Sequence, residues 1–149
     1  MLIHNGFSIS TNKDFLDLSV IHNFLSQEAY WSKGIPKQTV KKAIENSMLC
    51  FGVYKGEVGK DGFEQVALAR VITDLATFAY LCDVFILPDY RKLGLSKWLM
   101  DSITSYSDLK GVRRFMLATS DAHSLYSQYG FEKIVNPEPF MQKVLKNPY

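Results

Sequence analysis

Apolar positions along the chain change their period several times, and each change marks an element. Alternating apolar and hydroxyl side chains over residues 7–11 predict a first strand. Phe15, Leu18, Ile21, His22 and Leu25 then recur at helical spacing behind Asp14, which reads as the N-cap. An aromatic turn, Tyr30-Trp31-Ser32-Lys33-Gly34-Ile35-Pro36, leads into a second helix over about residues 37–46. Residues 48–54 and 65–74 read as paired strands, and the charged, glycine-rich stretch 55–62 between them reads as a hairpin end.

Residues 75–87 are almost all apolar or aromatic, the pattern of a strand buried on both faces near the middle of a sheet, and Asp83 is their only charge. Pro88 ends this run. A short turn carrying Arg91, Lys92 and Gly94 follows, and then Leu95, Trp98, Leu99, Ser102, Ile103 and Tyr106 mark a helix to about residue 107. Residues 113–119 predict another strand and 121–129 a short helix stopped by Gly130. A further strand is expected to begin over 131–134, and 140–145 to close the sheet after the loop 136–139.

The strand, basic turn and helix start have a chemical consequence. First-turn N–H groups of a helix lack intrahelical partners and carry partial positive charge, so an anion such as a phosphate docks there readily. Gly94 removes a side chain from the approach, while Arg91 and Lys92 add charge. The spacing has no Gly-Lys-Ser/Thr ending and no three-glycine fingerprint, which sets aside the two commonest phosphate loops.

Arg91-Lys92-Leu93-Gly94-Leu95-Ser96 resembles the Arg/Gln-x-x-Gly-x-Gly/Ala pyrophosphate loop of the GNAT superfamily of acetyl-CoA-dependent N-acetyltransferases, with Ser96 at the last position. The preceding Val84-Phe85-Ile86-Leu87-Pro88-Asp89-Tyr90 is similar to that family's approach to the loop. Downstream, Ala122-His123-Ser124-Leu125-Tyr126-Ser127-Gln128-Tyr129-Gly130-Phe131 resembles its Ala-x-x-x-Tyr-x-x-x-Gly-Phe signature. The resemblance implies one α/β (α+β) domain over residues 1–149, with its core at about 7–146 and a mixed, largely antiparallel sheet flanked by helices. It also implies acetyl-CoA as the acetyl donor and coenzyme A as product. Backbone groups of Val84, Phe85, Ile86 and Leu87 would hold the pantetheine arm, and Arg91, Lys92, Leu93, Gly94, Leu95 and Ser96 the pyrophosphate. Thr119 falls where relatives often carry an Asn that reaches the pantetheine, and Lys97 and Ser124 are softer candidates for a nucleotide phosphate.

Moving an acetyl group from a thioester to an amine requires a neutral amine, an oxyanion site and a proton for the leaving thiolate. Asp83 is the candidate base or substrate anchor, because a carboxylate in an apolar strand needs a partner. Tyr126 matches the family's tyrosine that donates a proton to the coenzyme sulfur, and a phenol with a pKa near ~10 remains protonated at neutral pH. Tyr30 and Trp31, with Tyr80, would wall the acceptor site, since the family places its acceptor beside the helix-to-helix turn. Cys82 offers a ping-pong route through an acetyl-cysteine as a minor alternative. A coenzyme A-binding sensor without turnover is the alternative from another class.

Composition narrows the partners. The 149 residues suit one domain that buries roughly two thirds of its unfolded surface. Seventeen basic against 15 acidic residues leave a net charge of +2, too small to argue for nucleic acid or an anionic membrane. Small partners are therefore expected, which with the family resemblance implies a small-molecule or peptide amine as acceptor, and a homodimer is consistent with an exposed edge strand near the C-terminus. Cys50 and Cys82 both lie in apolar runs and read as reduced thiols, and His4, His22 and His123 lack metal-ligand spacing, so no metal site is expected. The first residues lack a basic segment and long apolar core, and no run reaches membrane-span length, so a cytoplasmic location is expected.

Overall fold

A computed structural model describes residues 1–149, and its six strands form one sheet in chain order. They are β1 (Leu2–His4), β2 (Phe7–Ser10), β3 (Leu49–Lys55), β4 (Glu64–Thr73), β5 (Phe78–Ile86) and β6 (Arg114–Leu117). The first five pair antiparallel, and β6 joins β5 in parallel after a helical crossover. Four α-helices flank the sheet: α1 (Leu18–Asn23), α2 (Lys37–Asn46), α3 (Leu95–Thr104) and α4 (His123–Ser127). This is the mixed, largely antiparallel architecture expected. No helix is long and apolar enough to cross a membrane.

Period-two alternation on β3 sorts its side chains between two cores. Leu49, Phe51 and Val53 join Val71, Leu99, Met100 and Ile103 under α3, whereas Cys50 faces α1 and α2 with Ile21, Leu25, Val40, Leu68 and Phe85. On α2, Val40 and Ile44 are buried at i,i+4 spacing, and on α3 Leu95, Leu99 and Ile103 are. The sheet is thus covered on both faces, and the turn after β5 is fixed by the α3 core.

Several expectations are corrected. The chain opens with a hairpin not anticipated, β1–β2, turned through Asn5 at φ 48° and Gly6 at φ 79°. An Asn-Gly pair between apolar residues is the strongest short hairpin signal, so the strand was legible. Asp17, not Asp14, caps α1, accepting hydrogen bonds from the Ser19 and Val20 N–H groups. The helix expected over Phe15 to Leu25 is instead a 3-10 turn, α1 and a π-helical turn over Phe24–Glu28.

β5 is the fifth of six strands and begins at Phe78, because residues before it fold into a turn. Asp74 organises that turn by accepting from the Ala76, Thr77 and Phe78 N–H groups and the Thr77 hydroxyl. Residues 131–134 and 140–145 form no strands, and β6 keeps a free outer edge. Pro137 and Pro139 interrupt the segment, and neither can donate to a ladder. Val135, Met141, Val144 and Leu145 consequently remain exposed.

Candidate active site

The turn after β5 builds one end of the site. Pro88–Tyr90 forms a 3-10 turn, Arg91 Nε donates to the Ile86 carbonyl at 3.2 Å, and Lys92 and Gly94 adopt φ of 64° and 78°. Gly94 is the N-cap of α3. The first bond of the helix runs from the Trp98 N–H to the Gly94 carbonyl, so the Leu95, Ser96 and Lys97 N–H groups have no intrahelical acceptor. A Cβ added at Gly94 would meet no protein atom within 4 Å, so the space beside the helix start is open. An opening of about 350 Å³ lies there, lined by Ile86, Tyr90, Arg91, Lys92, Gly94, Leu95, Ser96 and Lys97. Free N–H groups, a positive helix end and three cations fit a pyrophosphate. Among the loop residues proposed from sequence, the Leu93 side chain points to solvent and Leu95 is buried in the core, so these two offer only backbone.

Upstream, the sheet parts. β5 pairs with β6 only from Phe78↔Arg114 to Leu81↔Leu117, so residues 82–86 have no strand beside them on that edge. On the other edge, Leu68 pairs with Phe85 and Arg70 with Cys82, so Asp83 and Val84 together oppose Ala69. This is a β-bulge on β5, and within it Asp83 adopts a left-handed φ of 50°. The Leu87 N–H bonds the Val66 carbonyl on the β4 side, so Ile86, one residue back, presents its backbone groups to the open edge. Phe85 itself is buried and stacks on Phe24 with centroids 4.1 Å apart, and Leu87 packs against the same cluster. Their side chains are closed to a ligand and, by the same alternation, their backbone groups face β4, so among residues 85–87 it is Ile86 that offers backbone to the open edge.

A cavity of about 390 Å³ fills the parting. Tyr30, Trp31, Tyr80, Cys82, Asp83, Val84, Thr119 and Tyr126 all line it, so residues proposed from separate stretches meet at one place. Tyr30 and Trp31 pack edge to face at 5.0 Å and are tethered to opposite sides of the parting. The Trp31 indole N–H donates to Asp83 Oδ1 at 3.0 Å, and the Tyr30 hydroxyl accepts from the Ser120 N–H at 3.1 Å. Thr119 spends its hydroxyl nearby, accepting from the Ala122 N–H at 3.1 Å at the start of α4. Ser124 lies outside, in a cleft along the free edge of β6, and His22 is bonded to the Ile35 carbonyl.

Asp83 is held by a partner that sequence reasoning missed. Arg70 Nε donates to Asp83 Oδ2 at 2.8 Å and Arg70 Nη1 to Ser47 Oγ at 3.0 Å, with both charged side chains largely buried. The available signal was a lone cation in the apolar run of β4, which needs a counter-charge. Lysine cannot reproduce this two-ended fork, so Arg70→Lys is expected to cost about 1–2 kcal/mol, or roughly 2–8 °C in thermal midpoint. A midpoint unchanged in a thermal melt would show that the fork contributes nothing.

Three groups in the cavity, Tyr80, Cys82 and Tyr126, are shifted upward by burial. Desolvation pushes the Cys82 thiol up to about 11, against the opposing pull of Arg70, and its Sγ lies 3.6 Å from the Arg70 carbonyl. Desolvation also raises the Tyr126 phenol, with the Asp121 carboxylate and Tyr30 adding to it. Tyr126 is therefore a proton carrier at neutral pH and Cys82 a protonated thiol.

Comparison with known proteins gives a consistent answer. Residues 46–133, which contain both the turn after β5 and Tyr126, match the acetyltransferase (GNAT) domain family model. The chain is 33% identical to "Putative acetyltransferase FG08082" of Gibberella zeae, over 82% of this chain and 76% of that protein. It is 49% identical to a solved GNAT-family protein of Xanthomonas campestris pv. campestris, with a TM-score of 0.87 over 96% of each chain. A GNAT-family protein of Streptococcus pneumoniae, at 20% identity, shares the fold with a TM-score of 0.66 over 96% of this chain and 99% of that one.

Proposed function

The chain belongs to the GNAT acetyltransferase family, and from that premise we propose that it moves the acetyl group of acetyl-CoA to a primary amine of a small molecule or peptide. Transfer is direct, with both substrates bound. The observation that carries this reading is convergence. The aromatic pair Tyr30–Trp31, the bulged part of β5 and Tyr126 line one cavity, and the anion-binding turn lies at the end of the same strand.

Acetyl-CoA supplies an acetyl group activated as a thioester. The open edge of β5 holds the pantetheine arm through backbone groups, and an N–H of the bulge polarises the thioester carbonyl. The acceptor ammonium first releases one proton to solvent. Its nitrogen then forms the N–C bond as the C–S bond breaks, Tyr126 Oη gives its proton to sulfur, and the nitrogen's surplus proton restores the phenol. The products are an amide, coenzyme A and one released proton. Asp83 acts as an anchor, because both its oxygens already accept hydrogen bonds and it holds Trp31 over the cavity. Cys82 stays out of the chemistry: a thiol near 11 is deprotonated to only about one part in ten thousand at pH 7.

Thiol release followed after mixing protein, acetyl-CoA and primary amines tests this reading. Release that requires both protein and amine is the expected result. Tight acetyl-CoA binding with no release for any amine would replace the transferase with a coenzyme sensor.

A further inference from the structure

The cavity lining is chemically one-sided. Among its residues there is no Lys, Arg or His, and its two carboxylates are Asp83 and Asp121. Arg70 compensates Asp83, whereas Asp121 is exposed, takes part in no ion pair, and its carboxylate accepts only from the Thr119 hydroxyl at 3.5 Å. Much of the remaining lining is aromatic. Tyr30 and Trp31 keep about half their surface open, at 56% and 44%, and Tyr80 stands with them. Aromatic faces attract cations and offer an anion nothing. An acceptor that carries a carboxylate would place it among acidic and π surfaces with no cation to meet it.

The form of the cavity adds a size limit. At about 390 Å³ it lies near the lower end of ligand pockets, which run roughly 300–1,000 Å³, and the thioester takes part of that space. The two tethers of the Tyr30–Trp31 pair, to Ser120 and to Asp83, draw the loop across the parting of β5 and β6. A slender chain fits such an entrance better than a folded protein surface.

From these features we infer that the acceptor is a short aliphatic diamine or oligoamine without a carboxylate, whose second ammonium lies between Asp121 and the Tyr30–Trp31 faces while the first reacts beside Tyr126. This assignment rests on the transferase reading and specifies its substrate. Asp121 is then a specificity-determining residue that sequence motifs do not mark.

The test compares 1,4-diaminobutane, butylamine and 4-aminobutanoate, which share a carbon chain and differ in the far group. At saturating acetyl-CoA, kcat/KM for the diamine should exceed that for butylamine about tenfold or more, and 4-aminobutanoate should be the poorest of the three. Asp121→Asn should lower the diamine-to-butylamine ratio by about two- to fivefold, with the aromatic faces keeping the remainder. Calorimetry with the coenzyme A-loaded protein separates the two levels of the argument. Diamine binding in preference to 4-aminobutanoate without any turnover would keep the assignment of the cavity and sink the transfer reaction. Equal or better binding and turnover of 4-aminobutanoate, or a ratio that Asp121→Asn leaves unchanged, would overturn the diamine assignment while leaving the transferase intact. A peptide amine that outperforms all three would overturn it as well.

Discussion

Gly94→Trp is expected to weaken acetyl-CoA and coenzyme A binding by about 100-fold or more in a calorimetric titration, which is the cost of losing several charge-assisted contacts together. Gly94 caps α3 at φ 78°, and the space beside it holds no protein atom within 4 Å. A Cβ therefore meets no protein atom, and the indole it carries is expected to occupy the opening lined by Arg91, Lys92 and Ser96. There it would cover the unpaired N–H groups of Leu95, Ser96 and Lys97. The left-handed backbone adds a separate cost of roughly 1–2 kcal/mol for any residue with a Cβ, or about 2–8 °C in midpoint. Gly94→Ala isolates this second effect, since it carries the same backbone cost with far less bulk. The alanine variant should melt at nearly the temperature of the tryptophan variant but retain much more affinity. Wild-type affinity in a folded Gly94→Trp protein would place the pyrophosphate away from the α3 start.

The parts of the site legible in the sequence are those built from contiguous chain. The turn from Val84 to Ser96 is one uninterrupted stretch, so its residue types and spacing carry its geometry directly. Tyr126 was equally accessible, as its five-residue helix and the stop at Gly130 are local. Arg70, Ser47 and Asp121 belong to the other kind. Arg70 meets Asp83 only because β4 and β5 pair in a register with a bulge between them, and Ser47 joins from the end of α2. Nothing in a single chain's periodicity fixes such a register. Trp31 was anticipated as part of a wall and Asp83 as base or substrate anchor, but the bond between them spans 52 positions, and no local pattern announces it. At the C-terminus the sequence pattern misled for a related reason. Residues 140–145 are strand-like in composition, but β-propensity mostly reflects fit against neighbours, and here no neighbour is paired.

Tyr126→Phe should lower kcat by about 10²-fold or more, within the ordinary range for a removed general acid, while KM for acetyl-CoA stays within about twofold. The substitution is conservative for packing. The ring remains buried, its edge contact with Phe131 at 6.1 Å persists, and only a hydroxyl at the cavity is lost, so stability should change by no more than about 1 kcal/mol. A pH profile separates acid catalysis from simple binding. Burial, then Asp121 and Tyr30, hold the phenol above its ordinary value, so the proton is retained through neutral pH and is lost only as pH rises past about 10. The wild type should therefore show a fall in kcat on that alkaline limb, and the phenylalanine variant should lack it. Asp121→Asn removes the neighbouring negative charge that helps raise Tyr126, so the same limb should move to lower pH in that variant. A kcat that is unchanged in Tyr126→Phe would transfer protonation of the sulfur to solvent, and the tyrosine would then serve only as a buried packing residue against Phe131.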